Sequence, residues 1–284
     1  MFADLHLHSQ YSDGTLTPEE LALRGASRGY GLLAVCDHNR WQSWPRFSAA
    51  CRREGVIPLR GMEMDCLYDG RDIHILAYGF TPTPGLTALA EESHRLLLEM
   101  SHDLVRRLLP DFPQLSWAEY RAYPFDRSKG GWQCLHYLAA KGAAASPEDA
   151  MSLYARYGCD YGDSPFPPAA QVCREILLAG GTPVLAHPGN WFAALDQAAL
   201  FAHLDALRAL GIRGVECHYP THTPAFTALC EQWCREHDML ITAGSDCHGD
   251  FNRLHKNTVF DIGQVRVPPE HLRLGNLLKE DDLL

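Results

Sequence analysis

The sequence contains no apolar run approaching about 18 residues, so we expect no membrane-spanning helix in its 284 residues. It also contains no basic cluster of any length, and its formal net charge is −10. A protein that neutralises a run of phosphates normally needs such a cluster, so a long nucleic-acid footprint is disfavoured. The first residues lack the charged and apolar regions of a secretory signal, which favours a cytoplasmic protein.

Cysteine occurs ten times, but never with Cys-x-x-Cys spacing. The cysteines are scattered within apolar segments, which is typical of reduced core thiols and not of a disulfide framework. The chain is 46% hydrophobic and long enough to bury a sizeable core. Its length allows either one barrel of ordinary size or two smaller domains.

Short apolar segments rich in β-branched residues alternate with helical patterns, which is typical of a parallel α/β sheet. Candidate strands cover residues 2–6, 32–36, 56–59, 73–78, 182–186, 214–217 and 240–243. Thr17, followed by Pro18 and by Glu20 three positions on, predicts a capped helix start.

The alternation of strands and helices stops between about residues 86 and 168, where the pattern becomes mostly helical. An amphipathic helix is expected over 91–109. We interpret 1–85 and 169–266 as one α/β barrel, and 86–168 as a helical insertion packed over one of its faces. Residues 267–284 are expected to form a tail, either a short helix or a loosely held end.

Histidines and carboxylates collect where the predicted strands end. They are His6 and His8, Asp37 and His38, Glu63 and Asp65, His187, Glu216 and His218, and Asp246 and His248, with His74 inside a strand and Asp13 in a Ser-Asp-Gly turn. In a parallel barrel the C-terminal strand ends all open onto one face, where active sites form. Each motif alone could be a polar strand edge, a helix cap or a turn, but together they predict a metal site.

The number of candidate ligands indicates more than one ion. Nine side chains are candidates: His6, His8, Asp13, His38, Glu63, His74, His187, Asp246 and His248. A single tetrahedral ion cannot use so many ligands, so two or three divalent ions that share carboxylates are expected. Imidazole and carboxylate donors without thiolate favour Mn²⁺, Fe²⁺ or Zn²⁺. Such a centre serves attack on a phosphoryl or an acyl group, and composition leaves both open.

Six motifs, taken in order, resemble the PHP (polymerase and histidinol phosphatase) domain family. They are His6-x-His8-Ser9 with Ser12-Asp13-Gly14 and Thr17-Pro18-Glu19, Cys36-Asp37-His38-Asn39, Gly61-x-Glu63, His74-Ile75-Leu76, Ala186-His187-Pro188-Gly189 and Gly244-Ser245-Asp246-x-His248. The resemblance implies a distorted (β/α)7 barrel with a trinuclear divalent-metal centre that hydrolyses phosphoesters. An insertion between barrel strands is typical of the small-molecule branch of this family.

The resemblance also implies how three ions would divide the ligands. One ion takes His6, His8, Glu63 and Asp246; a second takes Asp13, His38 and His248; a third shares Glu63 and adds His74 and His187. Asn39 stands where the family often has a second Asp. Residues 129–137 replace the Arg-x-His element of the nucleoside 3′,5′-bisphosphate phosphatases, so the chain looks more like a cyclic-phosphate phosphodiesterase acting on phosphorylated ribose.

We therefore expect a metal-dependent phosphoesterase that hydrolyses a small phosphorylated metabolite by attack of metal-bound hydroxide on phosphorus. Phosphorylated or cyclic-phosphate ribose, or a nucleotide, is the expected substrate. His222, or less favourably His218, is the candidate acid for the departing alkoxide, although His222 is equally interpreted as a loop histidine. Arg127, Lys129 and Trp132 are candidates for contact with a second phosphate or a ring face, although Trp132 is equally a candidate core residue of the insertion.

Two other functions remain open on the sequence alone. An amidohydrolase barrel also uses a His-x-His pair on its first strand, and would attack a C–N or lactone bond, typically with two ions. A metal-stabilised interaction or proofreading module without catalytic activity is the other alternative, although such a module would be expected to lack ligands and none is missing here. The oligomeric state is left open.

Overall fold

The structure of the protein, a computed structural model, describes residues 1–251, 253–255 and 258–278. Seven strands form one sheet whose spatial order follows the order of the chain. They are β1 (Phe2–Leu7), β2 (Tyr30–Val35), β3 (Ile57–Tyr68), β4 (Arg71–Tyr78), β5 (Thr182–Leu185), β6 (Gly214–His218) and β7 (Leu240–Ala243). Each overlaps one of the segments that the sequence predicts as a strand. A separate ribbon consists of β8 (Leu254–His255) and β9 (Thr258–Val259).

The sheet closes on itself between β1 and the residues that follow β7. The His8 N–H donates to the carbonyl of Cys247 at 2.9 Å, and the Asp246 N–H donates to the carbonyl of His6 at 2.9 Å. The fold is therefore the seven-stranded α/β barrel that the sequence predicts. It is distorted because β7 has only four residues, so that the closing hydrogen bonds are made beyond its end.

The expectation of an all-parallel sheet is wrong at β4, which runs antiparallel to both β3 and β5. Only Asp69 and Gly70 join β3 to β4, and both have positive φ, 51° and 70°. Asp-Gly is a favoured pair for such two-residue hairpin turns, and a turn this short can join only antiparallel strands. His74 therefore reaches the C-terminal face of the barrel from the first half of its strand.

β3 is much longer than the predicted strand over 56–59, so that Glu63 and Asp65 lie within it and not after it. Met62, Met64 and Cys66 point to the hydrophobic core outside the barrel wall. Because side chains alternate along a strand, Glu63 and Asp65 point to the opposite face. Both faces are buried, and the polar residues on one of them hide the strand from a hydrophobicity pattern.

Helices connect and surround the strands. They are α1 (Pro18–Ser27), α2 (Trp44–Arg53), α3 (Pro84–Leu108), α4 (Trp117–Ala122), α5 (Gln133–Ala140), α6 (Pro147–Ala150), α7 (Ser152–Arg156), α8 (Ala169–Leu178), α9 (Gly189–Phe192), α10 (Gln197–Leu210) and α11 (Pro224–Glu236), with short 3₁₀ turns at Arg127–Lys129, Tyr161–Asp163, Pro269–His271 and Gly275–Leu277. The predicted start of α1 is confirmed: the Thr17 side chain accepts from the Glu20 N–H, and the Glu20 carboxylate accepts from the Thr17 N–H.

The long helix α3 belongs to two hydrophobic cores. Near its start, Leu86 and Leu89 pack in the core formed by the outer face of the barrel strands. Further along, Leu97, Leu104 and Leu108 pack in a second core with α5 and the residues that follow it. The predicted amphipathic helix is thus confirmed and begins earlier, at Pro84. Residues 86–168 are mostly helical, and their treatment as an insertion separate from the barrel stays a prediction.

The end of the chain is held firmly against the barrel as far as residue 278. The Ala3 N–H donates to the carbonyl of Val267 at 3.0 Å, and Arg273 pairs with Ile241 through two backbone hydrogen bonds. Leu277 is buried with apolar side chains of the first five strands. The alternative of a loosely held end is wrong for 267–278, because these contacts fix it. The remaining predicted tail, 279–284, lies outside the described residues.

All ten cysteines are buried and free of disulfides, which confirms their interpretation as core thiols. Across residues 1–251, 253–255 and 258–278, no helix has the length and apolar character needed to cross a membrane.

Removal of the Tyr78 hydroxyl tests how much a buried hydrogen bond inside the barrel contributes to stability. It is buried and donates to the carbonyl of Leu5 at 2.7 Å. Tyr78→Phe leaves that carbonyl without this donor, so we expect a loss of about 1–3 kcal/mol in the free energy of unfolding, measured by denaturant titration. Tyr157→Phe, which removes an exposed hydroxyl bonded to Asp111, is the control and should change stability by less than about 0.5 kcal/mol. Equal losses in both variants would contradict the interpretation.

Candidate metal centre

The nine predicted ligands lie together at one end of the barrel. β1 and the turn after it carry His6, His8 and Asp13; the loop after β2 carries His38; β3 and β4 carry Glu63 and His74; the loop after β5 carries His187; and the loop after β7 carries Asp246 and His248. Residues from six segments of the sheet and its loops therefore meet at one mouth, as the positions of these residues in the sequence predict.

Glu63 lies at the centre of this arrangement, and its carboxylate faces two sides. Its Oε2 is 3.3 Å from the Nε2 atoms of His6 and His8 and 3.4 Å from that of His38. Its Oε1 is 2.9 Å from His74 Nδ1 and 3.0 Å from His187 Nε2. One carboxylate can therefore serve cations on both sides, which is the arrangement expected of a bridging ligand.

Donor atoms form overlapping groups in which every atom lies within 4.8 Å of the others. The groups are His6, His8, Glu63 and Asp246; His8, Asp13, His38 and His248; Glu63, His74 and His187; and His38, Asp65 and His74. The first three contain the ligand sets that the family resemblance implies, with His8 added to the second. The roles of these residues as ligands remain proposals.

The donor atoms fit divalent cations because many of them have nothing else to bind. Among the described residues, the potential metal-ligand atoms that are buried without a hydrogen-bond partner include His6 Nε2, both ring nitrogens of His8, Asp13 Oδ1 and Asp246 Oδ1. Leaving so many buried polar atoms unpaired is costly, and a cation would satisfy them. Imidazole and carboxylate donors are suited to Mn²⁺, Fe²⁺ and Zn²⁺.

A buried carboxylate behind the centre orients two of the candidate ligands. Glu216 on β6 is fully buried, and its Oε1 is 3.0 Å from His6 Nδ1. Its Oε2 accepts the backbone N–H of His187 at 2.8 Å. Fixing Nδ1 of His6 in this way directs Nε2 towards Glu63, the arrangement that commonly supports metal-binding histidines.

Asp37 ties down the turn that carries Asp13. Its carboxylate accepts the backbone N–H and the hydroxyl of Ser9, and also the hydroxyls of Ser12 and Ser43. Asp37 is fully buried, and these four donors compensate its charge. The Asp-His pair of the sequence therefore has divided roles, since Asp37 holds the loop and His38 faces the centre.

The backbone is strained at the mouth. Asn39, His187 and Asp246 have φ values of 52°, 22° and 53°, a region that residues other than glycine rarely adopt. Such strain persists only where surrounding contacts hold it, and it is concentrated at functional sites. Each of these residues bears a candidate ligand or adjoins one.

Asp65 is a member of the site that the predicted ligand set lacks. It is fully buried, and its Oδ1 is 3.2 Å from His74 Nε2 and 3.7 Å from His38 Nδ1. The side-chain amide of Asn39 donates to its other oxygen. Asp65 lies two positions after Glu63 on one strand, and this spacing, which puts both side chains on one face, is the signal that could have found it.

The buried charges at the centre stabilise one another. Burial disfavours the ionised Glu63, but the imidazoles of His6, His74 and His38 outweigh it and hold the pKa of Glu63 well below its usual range. Burial likewise disfavours protonated His8, but the nearby carboxylates of Asp246 and Glu63 outweigh it and raise the pKa of His8 to about 10. Without metal, His8 is therefore protonated at neutral pH.

A cavity of about 290 Å³ opens beside the centre. Its lining includes Asp13, His38, His74, His187 and His248, together with Trp132, Met151, Tyr161, Trp191 and Phe251. Trp132, Met151 and Tyr161 come from the helical segment between β4 and β5. The lining of the cavity thus combines candidate ligands with aromatic side chains, one of which, Trp191, lies against the rings of His74 and His187.

The two candidate acids do not line this cavity. His222 Nδ1 is 2.8 Å from the carbonyl of Cys217, and its Nε2 accepts the Gly189 N–H at 3.0 Å. Burial lowers the pKa of His222 to about 4. His218 Nε2 lies 2.9 Å from Glu231, and both histidines line a separate cavity with Tyr219. Their role as acids stays a prediction, and the hydrogen bonds of His222 fix it to the loop after β5.

Of the candidate substrate contacts, Trp132 lines the cavity and also packs against the core of the helical segment. The Arg127 guanidinium lies 3.4 Å from the carbonyls of Gln10 and Tyr11, beside the turn that carries Asp13. Lys129 is exposed in the same 3₁₀ turn.

Asp65→Asn tests whether this carboxylate orients His74. The substitution keeps the size of the side chain but removes its charge beside His74 and His38, so we expect affinity for at least one ion to fall about 10–100-fold. Calorimetric titration of the chelator-treated protein with Mn²⁺ measures it. Asp69→Asn, in the exposed turn, is the matched control and should bind as the unaltered protein does. Unchanged affinity in Asp65→Asn would exclude the orienting role.

Metal binding should release protons at pH 7. A ligand nitrogen must be deprotonated to bind a metal, and the pKa of His8 is raised to about 10, so binding displaces its proton. Apparent affinity should therefore rise as pH increases towards 10. Calorimetry in two buffers of different ionisation enthalpy measures the number released, and His8→Ala should release fewer. Binding without proton release would contradict the raised pKa.

The sequence of this chain is similar to those of known proteins. Residues 4–145 match the PHP domain family. A phosphoribosyl 1,2-cyclic phosphate 1,2-diphosphodiesterase from Eggerthella lenta is 32% identical over 268 residues, which cover 89% of this chain and 97% of the relative. A 5′-3′ exoribonuclease from Haemophilus influenzae is 27% identical over 266 residues, covering 86% of this chain and 89% of the relative.

A solved structure agrees in fold. A protein from Bifidobacterium adolescentis, assigned as a metal-dependent phosphoesterase, superposes with a TM-score of 0.72 at 26% identity, covering 91% of this chain and 92% of that one. The resemblance carried by the six motifs is thereby confirmed, and the chain belongs to the PHP domain family.

Proposed function

We propose that this metal-dependent phosphoric ester hydrolase acts on phosphorylated ribose that carries a cyclic phosphate, or on a closely related small nucleotide. The relative from Eggerthella lenta, which aligns over nearly its whole length, is named for a substrate of the first kind. The observation that carries the proposal is the two-sided contact of Glu63 with five imidazoles beside a cavity lined with aromatic side chains.

Two or three ions of Mn²⁺, Fe²⁺ or Zn²⁺ are proposed as cofactors. His6, His8, Glu63 and Asp246 would hold one ion; Asp13, His38 and His248 a second; and Glu63, His74 and His187 a third. When bound, such ions lower the pKa of a coordinated water and offset the charge of phosphoryl oxygens.

The residues around these ligands would keep the centre in one arrangement. Glu216 holds the ring of His6 and the backbone of His187, and the Tyr219 hydroxyl donates to Asp246 Oδ2 at 2.8 Å. With one oxygen of Asp246 bound by Tyr219, Oδ1 is left to face His6 and His8. The geometry is therefore set before substrate binds, which lowers the reorganisation needed during the reaction.

The size and lining of the cavity support a small substrate. A volume of about 290 Å³ is at the low end of ligand sites and suits a sugar phosphate better than a long polymer. Trp132 would cover one ring face of the substrate, and Arg127 and Lys129 would attract its negative charge at the rim. His222, or less favourably His218, would protonate the leaving oxygen, and the hydrogen bonds of His222 would have to open first.

His38→Ala and Asp246→Ala should abolish turnover while leaving the barrel folded. His38 and Asp246 belong to different proposed ion sites, so each substitution should remove ligands from one site. Release of phosphate or opening of the cyclic ester measures turnover, and circular dichroism checks the fold. Asp103→Ala and His271→Ala, both exposed and distant in sequence from the ligands, are the matched controls. Normal turnover by either ligand variant would defeat the assignment.

A substrate series with metal added back to chelator-treated protein distinguishes the remaining functions. It compares 5-phosphoribosyl 1,2-cyclic phosphate, a nucleoside 3′,5′-bisphosphate, a short 5′-phosphorylated RNA and a lactone. We expect the highest kcat/KM for the cyclic sugar phosphate. Preference for the RNA or the bisphosphate would reassign the substrate, and activity on the lactone alone would favour the amidohydrolase alternative.

A further inference from the structure

One carboxylate in the cavity of about 290 Å³ belongs to none of the proposed ion sites. Asp72 lies near the start of β4, two positions before His74, so both side chains point to the same face of the strand. Asp72 lines the cavity, and 14% of its side-chain surface is accessible. The proposed ligand sets therefore leave this carboxylate without a role.

The contacts of Asp72 leave much of its capacity to accept hydrogen bonds unused. Its Oδ2 is 3.3 Å from His74 Nε2, but within residues 1–251, 253–255 and 258–278 that nitrogen has no hydrogen-bond partner. Its Oδ1 is buried and also unpartnered in the described part of the chain. By contrast, the carboxylate of Asp37 accepts from three serine hydroxyls. Because an unpaired buried acceptor is costly, a donor supplied from the cavity would stabilise Asp72.

A second carboxylate already faces the same nitrogen of His74. Asp65 Oδ1 is 3.2 Å from His74 Nε2, slightly nearer than Asp72 Oδ2. Asp65 is fully buried, lies opposite His74 in the β3–β4 pair and is bonded by the Asn39 amide, and these contacts hold it in place. Asp72 is the partly exposed member of the pair and lines the cavity. Of these two carboxylates, Asp72 is therefore the one that a bound molecule can reach.

The surroundings of Asp72 fit an uncharged ring that bears hydroxyl groups. Among the described residues that line the cavity, none is a lysine or an arginine. Tyr161 and Trp191 line it, and their ring centroids lie 6.4 Å and 5.8 Å from that of His74, the neighbour of Asp72 on its strand face. Aromatic rings provide apolar surface for the C–H face of a sugar, while a sugar hydroxyl needs an acceptor such as a carboxylate.

We propose that Asp72 is a specificity-determining residue, whose carboxylate accepts a hydrogen bond from a free hydroxyl of the sugar while the scissile phosphoester lies at the metal centre. The proposal rests on the proposed function and specifies how the substrate is recognised. Rotation about the Cβ–Cγ bond exchanges the two oxygens of Asp72, so either one can turn towards the hydroxyl. A site that hydrogen-bonds a hydroxyl strongly rejects an analogue that lacks it, because the acceptor is then left unpaired.

Paired substrates test the role of Asp72. We compare 5-phosphoribosyl 1,2-cyclic phosphate with its 3-deoxy analogue, which lacks the free ring hydroxyl, using the metal-loaded enzyme. In Asp72→Ala, the ratio of their kcat/KM values should fall about 10–100-fold relative to the unaltered enzyme, the loss expected for a charge-assisted hydrogen bond. Asp163→Ala, which removes an exposed carboxylate from the turn that bears Tyr161, is the matched control and should keep the ratio.

The ratio separates recognition of the hydroxyl from orientation of His74. If Asp72 acted only on His74, kcat/KM would fall by the same factor for both substrates, and the ratio would not change. An unchanged ratio in Asp72→Ala would therefore overturn the proposal, whatever the loss for each substrate. Asp72→Asn keeps a carbonyl acceptor without the charge, so its ratio should fall by a smaller factor. Circular dichroism checks that each variant is folded.

A binding measurement does not depend on turnover. The methylene phosphonate analogue of ribose 5-phosphate, which has no ester bond to hydrolyse, and its 2,3-dideoxy counterpart are titrated into the Mn²⁺-loaded protein. We expect the hydroxylated phosphonate to bind at least about tenfold more tightly, and Asp72→Ala to remove that difference. Tighter binding of 2-aminoethylphosphonate than of the sugar phosphonate, lost in Asp72→Ala, would overturn the hydroxyl contact in favour of a cationic group.

Failure of this proposal and failure of the proposed function give different results. A preference for the hydroxylated phosphonate that Asp72→Ala removes, without turnover of any phosphoester, would defeat the proposed function but keep the contact with the sugar. Turnover of the cyclic phosphate with equal binding of the hydroxylated and dideoxy phosphonates would keep the proposed function and overturn the contact.

Discussion

The Glu63 carboxylate is enclosed by imidazoles on both sides and has almost no access to solvent. A buried carboxylate is tolerable only if positive charge compensates it, and here the compensation comes from protonated histidines or from cations. The surrounding structure is arranged around this need. β3 carries Glu63 at mid-strand, Glu216 fixes the ring of His6, and Asp37 ties the turn bearing Asp13 to the loop bearing His38.

The barrel brings histidines and carboxylates around Glu63 because polar and apolar side chains alternate along the same strands. On β3, Met62, Met64 and Cys66 belong to the outer core, while Glu63 and Asp65 belong to the mouth. On β4, Ile73 and Ile75 have the outer position and His74 the inner one. The same hairpin therefore contributes both to the hydrophobic core and to the polar centre, and a shift of one residue would exchange the two.

Spacing and order along the chain were enough to predict the barrel and the convergence of all nine ligand candidates, while the treatment of 86–168 as an insertion stays a prediction. They did not predict the direction of β4, because the predicted strand over 56–59 ended well before Asp69-Gly70 and left this favoured hairpin pair without a strand directly before it. Asp65 was missed as a partner of His74 since its role depends on pairing across that hairpin. The two hydrogen bonds of His222, to the carbonyl of Cys217 and from the N–H of Gly189, arise only from the tertiary fold and could not be predicted.

The reversal of β4 has a mechanical consequence for the entrance of the cavity. β4 ends at the opposite end of the barrel from the metal centre, so the chain returns along the outside of the barrel through α3. The 25 residues of α3 span about 37 Å at 1.5 Å per residue. The first turns of α3 pack in the hydrophobic core outside the barrel strands, and its later turns pack in the core of the helical segment between β4 and β5. A movement of the helical segment that lines the cavity, relative to the barrel, would therefore require α3 to bend.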